Sequence, residues 1–431
     1  MPRTKTSLTA LLAACFASAS LNAGMPLHKP FLQHSPDFIR STISEGPAWQ
    51  AVSLDGCVTD ESCAVDSCCD ISHCEDGCGE GCLGSEAFSI GGLFGLDEES
   101  QWKIGGWTEV GYTNNNVPLS QARNDLLSFN DTPDLLVLNQ QWLYAERVAS
   151  KDGEWGLGGR VDVMYGVDAQ KTQSFGNPGA GVRNQGSFDA KWDNGIYGWA
   201  LPQLYAEVAN EDWSIKAGHF FTPLGYEVIP AGGNFFYTHS YTMFNSEPFT
   251  HTGALATYSG IEDVTLYGGW TLGWDTGFDQ LNSGNNWLGG FSVNVTESVT
   301  FAYLSTYGNF GWRDGGSKDS YSHSIVLTVN ATDKLQYVAQ SDLLDTDNGV
   351  ISQFDTIGLN QYLFYTVNDK LKLGGRCEWW KADGISFYEA TAGVNIFALE
   401  NLVFRPEIRK DWAPGIGLDE SSVGIDAILS Y

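Results

Sequence analysis

The chain has 431 residues, with 23 basic against 52 acidic side chains and a formal charge of −29. That acidity excludes nucleic acid and anionic lipid headgroups as electrostatic partners, and it suits an exported protein. Glycine at 50 residues, 13% aromatics, 14 prolines and 17% charged residues describe many short strands and tight turns, and no stretch supplies the ~20 apolar residues of a membrane-spanning helix.

Residues 1–23 read as an export signal. Arg3 and Lys5 precede an apolar run from Leu8 to Ala19, and cleavage is expected after Ala23. Leu12-Ala13-Ala14-Cys15 also fits a lipoprotein processing box, which would make Cys15 an acylated first residue. Residues 24–96 then read as an extended, disordered linker, with Pro26, Pro30, Pro36 and Pro47 ahead of an acidic Cys-rich stretch at 57–82. Cys57, Cys63, Cys68, Cys69, Cys74, Cys78 and Cys82 lack the paired Cys-x2-Cys of a zinc site, so disulfides are the expectation in an exported chain. Their odd number leaves one thiol for a link to another envelope protein, and a locally cross-linked spacer is the alternative.

Residues 97–431 carry strand patterns to the end. Strands are expected to start near Gln101, Leu135, Glu154, Tyr197, Trp213, Thr252, Val264, Asn286, Ser298, Ser320, Lys334, Ser352, Lys370, Ser386, Asn401 and Ser421, about sixteen in all. Short polar turns such as Ile261-Glu262-Asp263 and Asn368-Asp369 recur roughly every 31 to 36 residues from Asp263 onward. Longer connections lie between them, and this long–short alternation is that of an antiparallel up-and-down transmembrane β-barrel with an even strand count. A soluble sandwich or propeller would misplace the charges that alternate with the apolar residues.

The faces separate cleanly. Leu371, Leu373, Gly375, Cys377 and Trp379 point one way, and Lys372, Gly374, Arg376 and Glu378 the other. Cys377 is expected to face lipid and stay unpaired. The last strand sets Val423, Ile425, Ala427, Leu429 and a terminal Tyr431 against Ser422, Gly424, Asp426, Ile428 and Ser430, the amphipathic ending that barrel-assembly machinery recognises. A lumen of this size is too wide for side chains to fill. The candidate pore-lining residues are Arg147, Arg160, Lys372, Arg376, Arg405 and Arg409 with Glu109, Asp162, Glu207, Glu378 and Glu407; Lys103, Lys216, Asp342, Glu389 and Asp426 share those faces. The arginines are expected to form a basic arc opposite acidic residues of an inserted loop, setting a transverse field; solvated wall charges without selective effect are the alternative.

The long connection after the fifth strand is where such a loop would fold inward, with Glu227 and Glu247 as its acidic candidates. It carries Gly218-His219-Phe220-Phe221-Thr222-Pro223-Leu224-Gly225-Tyr226-Glu227, then Asn234-Phe235-Phe236-Tyr237 and Pro248-Phe249-Thr250-His251-Thr252-Gly253. In these runs the chain resembles the bacterial β-barrel porins called porin-2 or OmpL-like, found in planctomycetes and other diderm bacteria, over roughly Gly92 to Tyr431. The resemblance implies a bacterial outer-membrane porin passing ions and small hydrophilic solutes, and offers no catalytic residues. The alternative is an envelope-anchoring or adhesion protein that uses a plugged barrel as a membrane mount. Expected partners are outer-membrane lipid, the barrel-assembly machinery and, by fold-level analogy, two further copies in a homotrimer. No enzyme activity, cofactor, metal or nucleic acid is expected; Ser240 beside His239 is read as loop packing.

Overall fold

The computed structural model describes residues 89–96, 100–114, 129–150, 154–176, 189, 193–311, 319–346 and 355–431. The expected signal peptide and the Cys-rich stretch lie outside them. A helical turn, α1 (Ile90–Leu93), capped by Ser89 Oγ on the Gly92 amide at 3.0 Å, precedes the first strand. The strands follow in order: β1 (Trp102–Thr113), β2 (Leu136–Arg147), β3 (Gly156–Gly166), β4 (Gly198–Ala209), β5 (Trp213–Phe221), β6 (Thr250–Ile261), β7 (Val264–Thr271), β8 (Asn285–Thr296) and β9 (Val299–Asn309). Then come β10 (Ser320–Thr332), β11 (Leu335–Asp345), β12 (Thr356–Asn368), β13 (Leu371–Ala382), β14 (Ile385–Leu399), β15 (Leu402–Phe404), β16 (Glu407–Ala413) and β17 (Leu418–Ser430). A second helical turn, α2 (Ala169–Thr172), lies between β3 and β4.

Every strand pairs antiparallel with its neighbours, and β1 pairs with both β2 and β17, so the sheet closes. Both β15 and β16 lie between β14 and β17, which makes them two halves of one stave and the barrel sixteen staves round. The break falls at Arg405-Pro406 because proline has no amide to give the ladder. The neighbouring groups still bond across it, Arg405 N to Asp426 O and Val394 N to Pro406 O, each at 3.0 Å.

Connections alternate as the sequence pattern required. One end carries short turns at 210–212, 262–263, 297–298, 333–334, 369–370 and 400–401; the other carries 114–135, 167–197, 222–249, 272–284, 310–319 and 346–355. The long-loop end also has two short connections, 414–417 and the tight turn Asp383-Gly384, the latter with φ of 46° and 87°. Positive φ at both central residues matches the twist of a two-residue hairpin, and Asp-Gly tolerates it at low steric cost.

Outward side chains form an apolar belt: Leu157, Leu204, Leu266, Leu359, Leu373, Ile408, Val423, Ile425 and Leu429 are all exposed. Trp102, Trp155, Trp213, Trp270 and Trp287, also exposed, stand near strand ends as interfacial anchors do. The alternate positions, among them Asp342, Arg376, Glu378, Glu389 and Asp426, are buried inside. Cys377 stands half-buried on β13, on the strand face opposite to the buried Arg376 and Glu378.

The seam is zipped by register from Trp107↔Ser430 to Thr113↔Gly424, and ends with Gly106 and Tyr431 exchanging two backbone hydrogen bonds of 2.9 Å. Deleting Tyr431 removes both, each worth about 1 kcal/mol net. The expected outcome is a smaller heat-modifiable folded fraction on refolding; an unchanged fraction would show that the seam does not need them.

Candidate functional site

Among the described residues, those of the connection between β5 and β6, 222–249, make the contacts that cross the barrel. The connection leaves the wall at Phe221, makes a tight bend at Gly225 (φ 90°), a 3-10 turn at Ala231–Gly233 and one short helix, α3 (Tyr241–Ser246). Its partners are Asn139 and Gln140 on β2 and inner-face residues of β11 through β17. In a sixteen-stave barrel β13 and β14 stand half a circuit from β5 and β6, so the loop spans the lumen. It docks on the far wall.

A chain segment taken out of bulk water must satisfy its peptide groups, at roughly 1–3 kcal/mol for each one left unmade. The wall does this with charges of both signs. Glu407 accepts the amides of Tyr237 (2.9 Å) and Thr238 (3.1 Å), and Glu378 those of Tyr241 (2.6 Å) and Thr242 (2.7 Å). Arg405 Nη1 donates to the carbonyls of Ala231 and Asn234, both at 2.7 Å, Arg376 Nη1 to Thr238 O at 2.7 Å, and Arg409 Nη1 to His239 O at 2.5 Å. Gln140 serves both polarities, accepting from Ala231 N and donating to Ile229 O.

Each arginine is neutralised from behind. Arg376 pairs with Glu389 at 2.9 Å and with the loop's Glu227 at 2.6 Å; Arg405 with Asp426 and, at 3.2 Å, Glu109; Arg409 with Asp411 at 2.8 Å. Glu227 also accepts from Ser240 N (2.7 Å) and Tyr362 Oη (3.2 Å). The Arg376 and Glu389 side chains are fully shielded, so these are buried ion pairs in a low-dielectric contact.

Wall glycines let the loop lie flat. A Cβ on Gly374 would meet the Phe235 ring at 2.3 Å, one on Gly111 the Tyr237 hydroxyl at 2.3 Å, and one on Gly358 the Thr242 hydroxyl at 2.1 Å. Phe235 and Phe236 pack on Phe364, and Tyr226 on Tyr362, completing an apolar seat. The Arg376 guanidinium lies 5.1 Å from the Phe236 ring centre.

The sequence-derived candidates therefore divide into two groups. Arg376, Arg405, Arg409, Glu109, Glu378 and Glu407 meet at the loop-to-wall contact together with Glu227, while Glu247 bonds Gln340 on β11. Arg147, Arg160, Asp162, Glu207 and Lys372 are not part of it. Arg160 bonds Asp162 (2.6 Å) and Glu146 (3.2 Å), lies 4.3 Å from the Tyr144 ring centre, and keeps about a fifth of its side chain exposed. Glu207 bonds Ser214, Lys372 lies over Phe397, and Arg147 reaches Gln101. Sequence reasoning missed Asn139 and Gln140: a bulge opposite Glu109/Val110 turns two consecutive residues inward, both buried, and breaks the alternation on which the reading rests. The inner-face glycines were visible as letters, but only the loop's path gives them a role.

Ser240 and His239 do not form a nucleophile–base pair. Ser240 Oγ caps α3 by accepting from Met243 N at 3.1 Å, and His239 Nε2 lies 3.3 Å from both Asn234 Nδ2 and Val228 O. Among the described residues no cluster of three or more His, Cys, Asp or Glu side chains is arranged around a metal position.

A closed sixteen-stave barrel with an apolar belt, a charged inner wall and a loop laid across its interior is an outer-membrane channel. Residues 101–424 match the family described as "Putative beta-barrel porin-2, OmpL-like", and the chain belongs to that family. Similar solved structures include an anion-selective porin from Comamonas acidovorans (TM-score 0.54, 8% identity, covering 77% of this chain and 99% of that one). The outer-membrane channel DcaP of Acinetobacter baumannii (0.52, 11%, 77% and 97%) and OmpT of Vibrio cholerae in its trimer form (0.51, 11%, 77% and 99%) are also similar. No curated protein matches the chain. It is an outer-membrane porin of bacteria, and its family and fold point to a channel, not an enzyme.

Burial raises the Glu227 carboxyl, but Arg376, His239 and the Ser240 amide outweigh it and hold it below its ordinary 4.5. Burial also holds His239 down at about 4, from 6.5, despite Glu227. Both groups have depressed values, so their contribution is complete at neutral pH. It is lost as pH falls, from about 6.5 for His239 and from about 4.5 for Glu227. Glu227→Gln should remove the lower of these two acid steps from the stability curve. Arg376→Ala, which leaves Glu227 and Glu389 buried without their cation, should cost about 3–5 kcal/mol. Thermal or denaturant melts across the acid range check both; a loss below about 1 kcal/mol for Arg376→Ala would contradict the buried-pair description.

Proposed function

We propose that the barrel is a passive diffusion channel for ions and small hydrophilic solutes, with residues 222–249 setting its narrowest section. One observation carries this reading: a loop rooted at β5 and β6 is fixed by buried charges on staves half a circuit away. Arg376, Arg405 and Arg409 are spent on that contact, so the transverse field expected from them is neutralised at close range. Ion preference then belongs to the inner wall toward the short turns, where Arg160 and Glu146 keep 20% and 26% exposure. That region carries Lys103, Arg160, Lys216 and Lys372 against Glu146, Asp162 and Glu207, an excess of one positive charge that favours anions weakly, while Arg147, directly opposite the outward Trp102, stands on the other face. The fold likeness to a trimer-form porin supports a trimeric assembly.

Planar-bilayer recording tests the reading. The expected result is stepwise openings, closure of an inserted unit in three equal steps, and a reversal potential in a salt gradient on the anion side. Excising residues 228–246 with a Gly-Ser bridge should raise the unit conductance. A folded barrel that never conducts, with or without the loop, would overturn it.

A further inference from the structure

One part of the loop contact is not matched in charge. Glu247, just beyond α3, and Asp342, on the inner face of β11, are both buried. Among the described residues neither has an ion-pair partner, unlike the acids grouped around Arg376, Arg405 and Arg409. Glu247 is held in place by Gln340 Nε2 on β11, leaving its Oε2 unbonded, and the Asp342 carboxylate lies against Glu247, Ser324 and Gln340 without a hydrogen bond of good geometry to any of them. Ser324 stands directly opposite Asp342 in the β10–β11 register, and Asn360 directly opposite Gln340 in the β11–β12 register. Ser324 Oγ and both amide atoms of Asn360 are likewise buried and without partners. Uncharged oxygens on β10 and β12 and the Asp342 carboxylate on β11 thus lie on three adjacent staves beneath the loop's Glu247, which keeps one oxygen unbonded.

Such a set is costly as it stands, because buried carboxylates without donors or counter-charge carry a desolvation penalty of several kcal/mol. A small cation with hard-oxygen ligands relieves the oxygen deficits together; the Asn360 NH2 is a donor that a cation does not satisfy. Ca2+ suits the donors best, since it accepts carboxylate, hydroxyl and amide oxygens in irregular geometry and completes its shell with water, whereas Mg2+ demands a near-ideal octahedron.

We propose that Glu247 and Asp342, with Ser324 and Asn360, bind one divalent cation of the Ca2+ type that ties the inserted loop to β10, β11 and β12. The site fastens the side of the loop that no arginine reaches. Its return limb, from α3 to β6, is then held by a soluble ion while its outgoing limb is held by protein charges.

The test uses the full-length folded protein in detergent after chelation with EDTA, so its outcome does not depend on conduction. Calorimetric titration with CaCl2 should show one saturable site per chain, and Ca2+ should raise the melting midpoint while added NaCl of equal ionic strength does not. Asp342→Asn should lose both the site and the shift, and Ser324→Ala should weaken binding while leaving the EDTA-stripped midpoint near that of the wild type. Absence of saturable binding to the wild-type protein would overturn the proposal whether or not the variants fold. So would a midpoint that responds to acid but not to Ca2+, which would mean the two carboxylates share a proton.

Discussion

The structure turns on one constraint: a stretch of irregular chain lies inside a closed barrel, and its peptide groups must find partners there. Water is the usual partner of a loop, and a segment pressed against a wall forfeits most of it. This wall answers with a carboxylate where amides point outward and a guanidinium where carbonyls do. Glu407 and Glu378 each take two successive amides, and Arg405, Arg376 and Arg409 take four carbonyls between them. The mixed sign of the inner face follows from the mixed polarity of the backbone it holds.

Such a contact is specific because it is expensive to mismake. Burying charges gains little over a well-packed apolar surface, but removing one partner leaves its opposite stranded. The Asn234-Phe235-Phe236-Tyr237 run adds shape, since its rings sit where Gly374, Gly393, Gly424 and Gly111 leave the wall bare. Charge therefore fixes which carbonyls and amides dock, and the glycines fix how closely. Under the proposed reading, the constriction is defined by these satisfied contacts, and ion preference is left to the wetter wall, where Arg160 and Glu146 keep 20% and 26% exposure.

Much of this was legible in the sequence because a barrel writes itself in period two. Strand starts such as Trp213, Val264 and Ser320 coincide with those expected, and the inward residues of β13 and β17 follow directly from alternation. Loop order pointed to the segment after β5 as the one to fold inward. The partners of the charges were not legible. Arg376 and Arg405 read as lining facing water because alternation assigns a face, whereas only the folded path of a loop distant in sequence brings Thr238 O and Ala231 O to them. The bulge that turns both Asn139 and Gln140 inward and the stave broken at Pro406 are local departures from the period, and the same rule that found the strands hides them.

Amide hydrogen exchange of the loop in the folded barrel tests the central claim most directly. If wall carboxylates hold the loop, the amides of Tyr237, Thr238, Tyr241 and Thr242 exchange as slowly as strand amides in the wild-type protein. Those of Tyr237 and Thr238 then speed up selectively in Glu407→Ala, while the strands stay protected. Fast exchange of these four amides in the wild-type protein would contradict the account.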